Sequence, residues 1–332
     1  MSENTGKIFS LNAYLGKQKK RSIDTLITAY SYEDRIVDSL KRSLEAFEIR
    51  QAILLVYDGA TYLDVSTIHK WEENKKKMDD LLTSSNVKAI EIPCRHYSVA
   101  IMSEYLLKVA GQNERILIDI TGLTKNYILK LAQIFDSGRT SFLYTRSEGH
   151  RLLTGKEMSV SIDRIEPLNG FEGYVSINND DLLVLVLGYE GNRSLAFLKK
   201  FDVEPVLAMI GSPYSENEEI NGLYVESAKE ANRLLLNMHR VVLYEKPVHS
   251  LNPFLFEQDF EAALKKYPSI EKYNICISCL GTKLQTLGLY FYWKKNPQSQ
   301  IWYAIPNKRF DFSPGTGESW IVKFENTSDE KE

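Results

Sequence analysis

Two turns carry residue types that could hold a phosphate. Asp119-Ile120-Thr121-Gly122-Leu123-Thr124-Lys125 follows the apolar run Ile116-Leu117-Ile118, and Ser278-Cys279-Leu280-Gly281-Thr282-Lys283 follows Ile275-Cys276-Ile277. Each turn joins a buried-strand pattern to a helical one. At such a junction Gly122 or Gly281 lets backbone approach a ligand closely, and Thr121, Thr124, Thr282 or Ser278 offers a hydroxyl. Lys125 or Lys283 adds a positive charge, and the N–H groups of a helix N-terminus favour an anion. Neither turn is a Walker A loop, because the long glycine-rich stretch before Lys-Ser/Thr is missing. The plainer alternative is that Gly and Thr are ordinary turn and cap residues and that the lysine is exposed.

A second signature precedes each turn. Tyr30-Ser31 closes one apolar run and leads through Glu33 to Arg35; Gly188-Tyr189-Glu190-Gly191-Asn192-Arg193-Ser194 follows the run LLVLVL. Arginine's planar fork suits bidentate contacts, so Arg193, with Asn192 and Ser194, could grip a phosphate or a base edge, and Arg35 holds the matching place. Tyr30 and Tyr189 could stack on a base. Against this, Glu33 with Arg35 and Glu190 with Arg193 could instead be ion pairs that set the first turn of a helix. The two Thr-Lys pairs lie 283 − 125 = 158 positions apart, and the two arginines 193 − 35 = 158. Two landmarks at one offset point to an ancient duplication of one α/β unit.

The elements that must position these turns follow from periodicity. Strands are expected over 23–30, 51–57, 87–92, 116–118 and 142–144, separated by helical patterns, among them 66–82 and 99–109. The second series reads strand 182–187, helix, strand 205–210, helix 224–236, strand 241–244, helix 256–266, strand 274–278, helix, strand 301–303. Such alternation defines an α/β chain with mostly parallel sheets covered on both faces. The expected organisation is an N-terminal extension (1–22), a Rossmann-like unit (23–149), a β-hairpin or linker (150–180), a second Rossmann-like unit (181–307), and a C-terminal hairpin with a disordered tail (308–332). Ser31 is placed to cap the first helix.

Length and composition narrow the classes. A chain of 332 residues with 43% hydrophobic and 26% charged residues suits two ordinary globular domains. A formal net charge of −3 argues against a generally basic, DNA-coating protein. No apolar run reaches the roughly 20 residues needed to span a bilayer, and residues 1–22 lack the apolar core of a signal peptide. Three cysteines cannot build a disulfide framework, so a reducing, cytoplasmic setting is expected. The five histidines show no His-x-x-x-His spacing, and Cys276-x-x-Cys279 lies in an expected strand without a second pair, so neither metal nor cofactor is expected.

Asp119-Ile120-Thr121-Gly122-Leu123-Thr124-Lys125 resembles the Asp-x-Thr-Gly-Gly-Thr-Lys motif of CARF domains, the CRISPR-associated Rossmann fold, and the 278–283 turn is a weaker version. Leu123 replaces the usual second glycine, and the second copy lacks the Asp-x-Thr start. The resemblance implies a cleft for cyclic oligoadenylates formed by this motif and the loop after the first strand. It also implies a likeness to SAVED proteins, which fuse two CARF-like units in one chain. Three functions then compete. A sensor would bind a nucleotide second messenger in antiviral defence and signal to a separate effector protein, since no nuclease or winged-helix region is recognisable; a homodimer is compatible with it. A metal-independent ring nuclease would cleave a cyclic oligonucleotide by attack of the ligand's own 2′-hydroxyl. A non-catalytic scaffold would bind a protein partner.

Overall fold

The computed structural model describes residues 6–15, 20–57, 65–94, 102–111, 114–148, 159–309 and 315–324. In chain order they form β1 (Gly6–Ser10), α1 (Leu11–Leu15), β2 (Arg21–Ala29), α2 (Arg35–Ala46), β3 (Phe47–Tyr57), α3 (Val65–Ser84), β4 (Lys88–Cys94), α4 (Met102–Ala110), β5 (Ile116–Asp119), α5 (Lys125–Ile134) and β6 (Thr140–Thr145). There follow β7 (Ser159–Pro167), β8 (Asp180–Leu187), α6 (Gly191–Lys200), β9 (Val206–Ser212), α7 (Glu218–Ala231), α8 (Arg233–Leu236), β10 (Val241–Leu243), β11 (Val248–His249), α9 (Pro253–Lys266), β12 (Tyr273–Cys279), α10 (Lys283–Lys295), β13 (Gln300–Arg309) and β14 (Ser319–Phe324). The protein is α/β, with two mixed, mostly parallel seven-stranded sheets, and divides into two compact units: Met1–Arg151 with Phe310–Glu332, and Leu152–Arg309.

The first unit's sheet runs β1-β14-β6-β5-β2-β3-β4; β2 to β6 are mutually parallel, and β14 is antiparallel to both β1 and β6. The second runs β10-β9-β8-β12-β13-β7, with β11 also pairing β9 beyond β10. In both, the five parallel positions fall in the order third, second, first, fourth, fifth. The winding direction therefore reverses between the first and fourth strands, β2 and β5 or β8 and β12, where open α/β sheets leave a crevice beyond the carboxyl ends. These central strands are apolar on both faces: Leu26, Ile27, Ile53, Leu54 and Leu117 in one unit, and Leu182 to Val186 in the other, are fully buried.

Three stretches differ from their sequence reading. The expected N-terminal extension contains β1 and α1, and β1 pairs with β14. Of the stretch 150–180, the described part supplies β7, whose partner is β13 rather than an adjacent hairpin strand. Of the C-terminal hairpin expected over 308–332, the described residues 315–324 supply β14, which lies between β1 and β6 and pairs with both. Helix α10 begins 283 − 125 = 158 positions after α5, and β14 occupies 319–324 where β7 occupies 159–167. The strand that follows each fifth parallel strand thus pairs with the fifth strand of the other unit.

Candidate functional site

At the end of β2, Tyr30 is fully buried. Its hydroxyl donates to Asp79 and, at 3.0 Å, to Glu91, while Lys75 Nζ sits 4.1 Å from the ring centre. Burial, then the two carboxylates, pushes its phenol above the ordinary range. Ser31 accepts from the Glu33 N–H at 3.3 Å and its carbonyl accepts from Asn74, so it shapes the turn; the helix cap is Asp34, not Ser31. Tyr189, in the second unit, packs edge-on to Tyr224 with ring centres 6.2 Å apart.

The repeated arginines adopt one arrangement twice. Arg35 pairs with Glu33, donates to the Thr145 carbonyl at 3.1 Å and lies over the Tyr144 ring. Arg193 pairs with Glu190 at 3.0 Å, donates to the Ala304 carbonyl and lies over the Tyr303 ring. Each guanidinium therefore fastens the start of a helix to the fifth parallel strand. Burial works against the Arg35 charge, but Glu33 and Tyr144 hold its pKa above normal. Ser194 donates to Gly191 O and to Asn232 Oδ1, within the unit; Asn192 stands beside it on the first turn of α6.

In the first unit's turn, Asp119 Oδ1 accepts from the Thr121 N–H at 2.9 Å. Thr121 Oγ1 accepts from the Thr145 N–H at 2.9 Å and neighbours Ser39 Oγ, so this hydroxyl sits in a buried polar network. A Cβ at Gly122 would come 2.9 Å from Ala29 O. In the second unit the equivalent crowding falls on Gly188, where a Cβ would come 2.5 Å from Leu280 O. Glycine in these turns allows chain to approach chain where the first and fourth strands diverge. Thr124 is the N-cap of α5 and bonds Asn126 Oδ1 through its hydroxyl; Lys125 follows on the first turn.

The second unit's turn is built differently. Thr282 caps α10 in a full capping box: its Oγ1 accepts from Gln285 N at 3.1 Å, and Gln285 Oε1 accepts from Thr282 N at 2.8 Å. Thr282 Oγ1 also donates to Ser250 O at 2.6 Å. Ser278 Oγ and Gln285 Nε2 are buried without a hydrogen-bond partner. Helix α10 is pressed onto α9 at Gly288, where a Cβ would overlap the Pro253 carbonyl.

Two features were missed from sequence. Gln285 was legible as the fourth residue of a Thr-x-x-Gln capping box. His249, ten residues from Asp259, had no sequence signal: its Nδ1 lies 2.6 Å from Asp259 Oδ2, its N–H donates to the same oxygen at 3.0 Å, and the Tyr214 ring stacks on it at 4.0 Å. Lys246 Nζ approaches the other carboxylate oxygen at 3.4 Å. Cys276 and Cys279, three apart on one strand, point to opposite faces, are both buried and form no disulfide; burial pushes the Cys276 thiol up to about 12. Among the described residues, no group of three or more His, Cys, Asp or Glu could hold a metal, and no helix is long and apolar enough to cross a membrane.

The class these observations define is a chain of two Rossmann-like units, each with a helix N-terminus at its strand-order reversal. No protein-family model matches the sequence, and no curated protein matches it. Among solved structures, a type III CRISPR defence DNA nuclease activated by cyclic oligoadenylate is similar at 9% identity and a TM-score of 0.49, over 82% of this chain. This chain spans 64% of that nuclease's length. An N-terminal ketoreductase from the macrolactin assembly line is similar at 9% identity and a TM-score of 0.26, over 90% of this chain and 72% of that one. At these values neither likeness assigns an activity to this chain.

Proposed function

We propose that this protein is a nucleotide sensor or regulatory subunit of a prokaryotic antiviral defence system, descended from a tandem duplication of one CARF-like unit. Its ligand is of the cyclic oligonucleotide kind, and its output passes to a separate effector protein in the cytoplasm. The carrying observation is positional. Both Thr-Lys turns lie where the strand order reverses and open a helix, the place at which an open α/β sheet offers backbone N–H groups and positive potential to a phosphate. The resemblance of 119–125 to the CARF motif supplies the ligand class. At the turn that takes the ligand, its lysine, Lys125 or Lys283, neutralises phosphate charge. Tyr189 and Asn192 form the rim in the second unit and the 31–34 turn the rim in the first, while Arg193 and Arg35 hold the respective frames from behind.

A thermal-shift panel of cyclic di-, tri-, tetra- and hexanucleotides, ATP and short RNA tests this. A ligand at 100 times its Kd stabilises a two-state fold by about 2.7 kcal/mol, a shift of several degrees. The expected result is a shift with one cyclic member, weakened when both turn lysines are replaced, Lys125→Ala together with Lys283→Ala. No shift with any member refutes the nucleotide reading and leaves the scaffold.

One observation favours metal-independent cleavage as the second reading. His249, aligned by Asp259 and 20% exposed, has the geometry of a proton-transfer group. In the tautomer that donates Nδ1–H to Asp259, its Nε2 would take the ligand's 2′-hydroxyl proton as the 2′-oxygen–phosphorus bond forms. The phosphorus–5′-oxygen bond then breaks and water returns a proton to the leaving oxygen. Products bearing a 2′,3′-cyclic phosphate, absent with His249→Gln, are the expected signature; intact ligand after incubation excludes this reading.

A further inference from the structure

The two crevices are not equivalent. In the first unit the second and third strands end at Tyr57 and Cys94, paired in register, as Ser212 and His249 are in the second. The residue two beyond the opening lysine is Tyr127 on α5 and Gln285 on α10. In the first unit these positions fill one another: the rings of Tyr57 and Tyr127 meet edge to face with centres 5.3 Å apart, and Tyr127 is fully buried and hydrogen-bonded to the Cys94 thiol. Tyr57 OH also accepts from the Thr124 N–H at 3.4 Å, a backbone donor of the α5 N-terminus. The aromatic pair thus occupies the first unit's crevice.

In the second unit the same three places hold a serine, a histidine and a glutamine. Gln285 is fully buried, its Oε1 is used in the capping box, and its Nε2 has no partner. A buried donor left unpaired carries its full desolvation cost, which a ligand acceptor would relieve. Two glycines make the room that this amide fills: a Cβ on Gly211 would come 2.7 Å from Nε2, and one on Gly281 would overlap Oε1. Ser250 Cβ lies 3.1 Å from that Gly211 position. The amide donor stands on the first turn of α10, where helix dipole and Lys283 favour an anion.

We propose that the second unit alone binds ligand, with Gln285 Nε2 donating to a phosphate oxygen of the nucleotide, and that the first unit's crevice is closed by Tyr57 and Tyr127. This rests on the nucleotide reading above and narrows it to one site per chain. Gln285→Glu is the discriminating variant, because a carboxylate keeps the cap to Thr282 N but cannot donate and repels phosphate. The experiment is isothermal titration of the full chain with the cyclic nucleotide that gives the largest thermal shift in the panel. Wild type, Gln285→Glu, Gln285→Leu and Lys125→Ala are compared, with the melting temperature of each free variant confirming that it is folded. The expected result is one ligand per chain, affinity reduced tenfold or more by both Gln285 variants, the scale of one hydrogen bond to a charged group, and affinity within twofold of wild type for Lys125→Ala. Two ligands per chain, or binding lost with Lys125→Ala and kept with Gln285→Glu, overturns the single-site assignment while the nucleotide reading stands. Absence of binding to every member by the wild-type chain overturns both.

Discussion

The repeated arginines show how a residue type suited to gripping a ligand can instead fasten the frame, tying a helix start to the fifth parallel strand in each unit. Arg193 and Glu190 have side chains only 5% and 9% exposed, and the guanidinium also satisfies the Ala304 carbonyl. Removing one member of a buried pair leaves the other charge uncompensated, which costs about 3–5 kcal/mol. Arg193→Ala should therefore lower stability by about 3 kcal/mol in equilibrium urea unfolding. Adding Glu190→Gln should recover part of that loss, because the stranded carboxylate is gone. A loss below about 1 kcal/mol for the single variant would mean the pair is solvated and not a fastening. The sequence offered both readings of these loops, ion pair or ligand grip; side-chain direction separates them, and that depends on Thr145 and Ala304, each more than a hundred residues away.

At the scale of elements, the glycines mark where strands must come together. Gly188 follows β8 and lies against the turn after β12, and a Cβ there would sit 2.5 Å from Leu280 O. Overpacking of this kind costs typically about 1–3 kcal/mol. Gly188→Ala should lower the melting temperature by several degrees, whereas Gly222→Ala, with no atom within 4 Å of its Cβ, should leave it unchanged or slightly raised. Equal effects at the two positions would refute the close approach. The parallel strands were legible because they are near-continuous apolar runs, and the strand–turn–helix junctions because Gly, Thr and Lys punctuate them. The partners of β7 and β14 were not. A short strand's own residues state that it pairs but not with which edge, and sequence proximity wrongly favoured hairpins. The capping-box glutamine was readable as a cap, but its unpaired amide depends on the packing of α10 against α9. The His249–Asp259 pair joins a two-residue strand to the middle of a helix, with no periodic pattern linking them.

For the whole molecule, the strand exchange sets which parts can stand alone. The second unit's sheet draws all its strands, β7 to β13, from one continuous stretch, Leu152–Arg309. The first unit's sheet does not: β14, from the far end of the chain, lies between β1 and β6 and pairs with both, Ile321 meeting Phe9 on one side and Leu143 on the other. Without β14 the β6 edge is left open and β1 has no partner, and an open parallel edge is a template for aggregation. Buried Ile321 and Val322 would be lost from the first unit at the same time. A fragment of residues 152–309 should then unfold cooperatively and remain monodisperse on size exclusion. A fragment of residues 1–151 should aggregate or melt without a cooperative transition, and a peptide of residues 315–324 added in trans should restore the transition. Cooperative unfolding of 1–151 without the peptide would refute a structural need for β14. Loss of folding in 152–309 would show that the second unit depends on the first, against its contiguous topology.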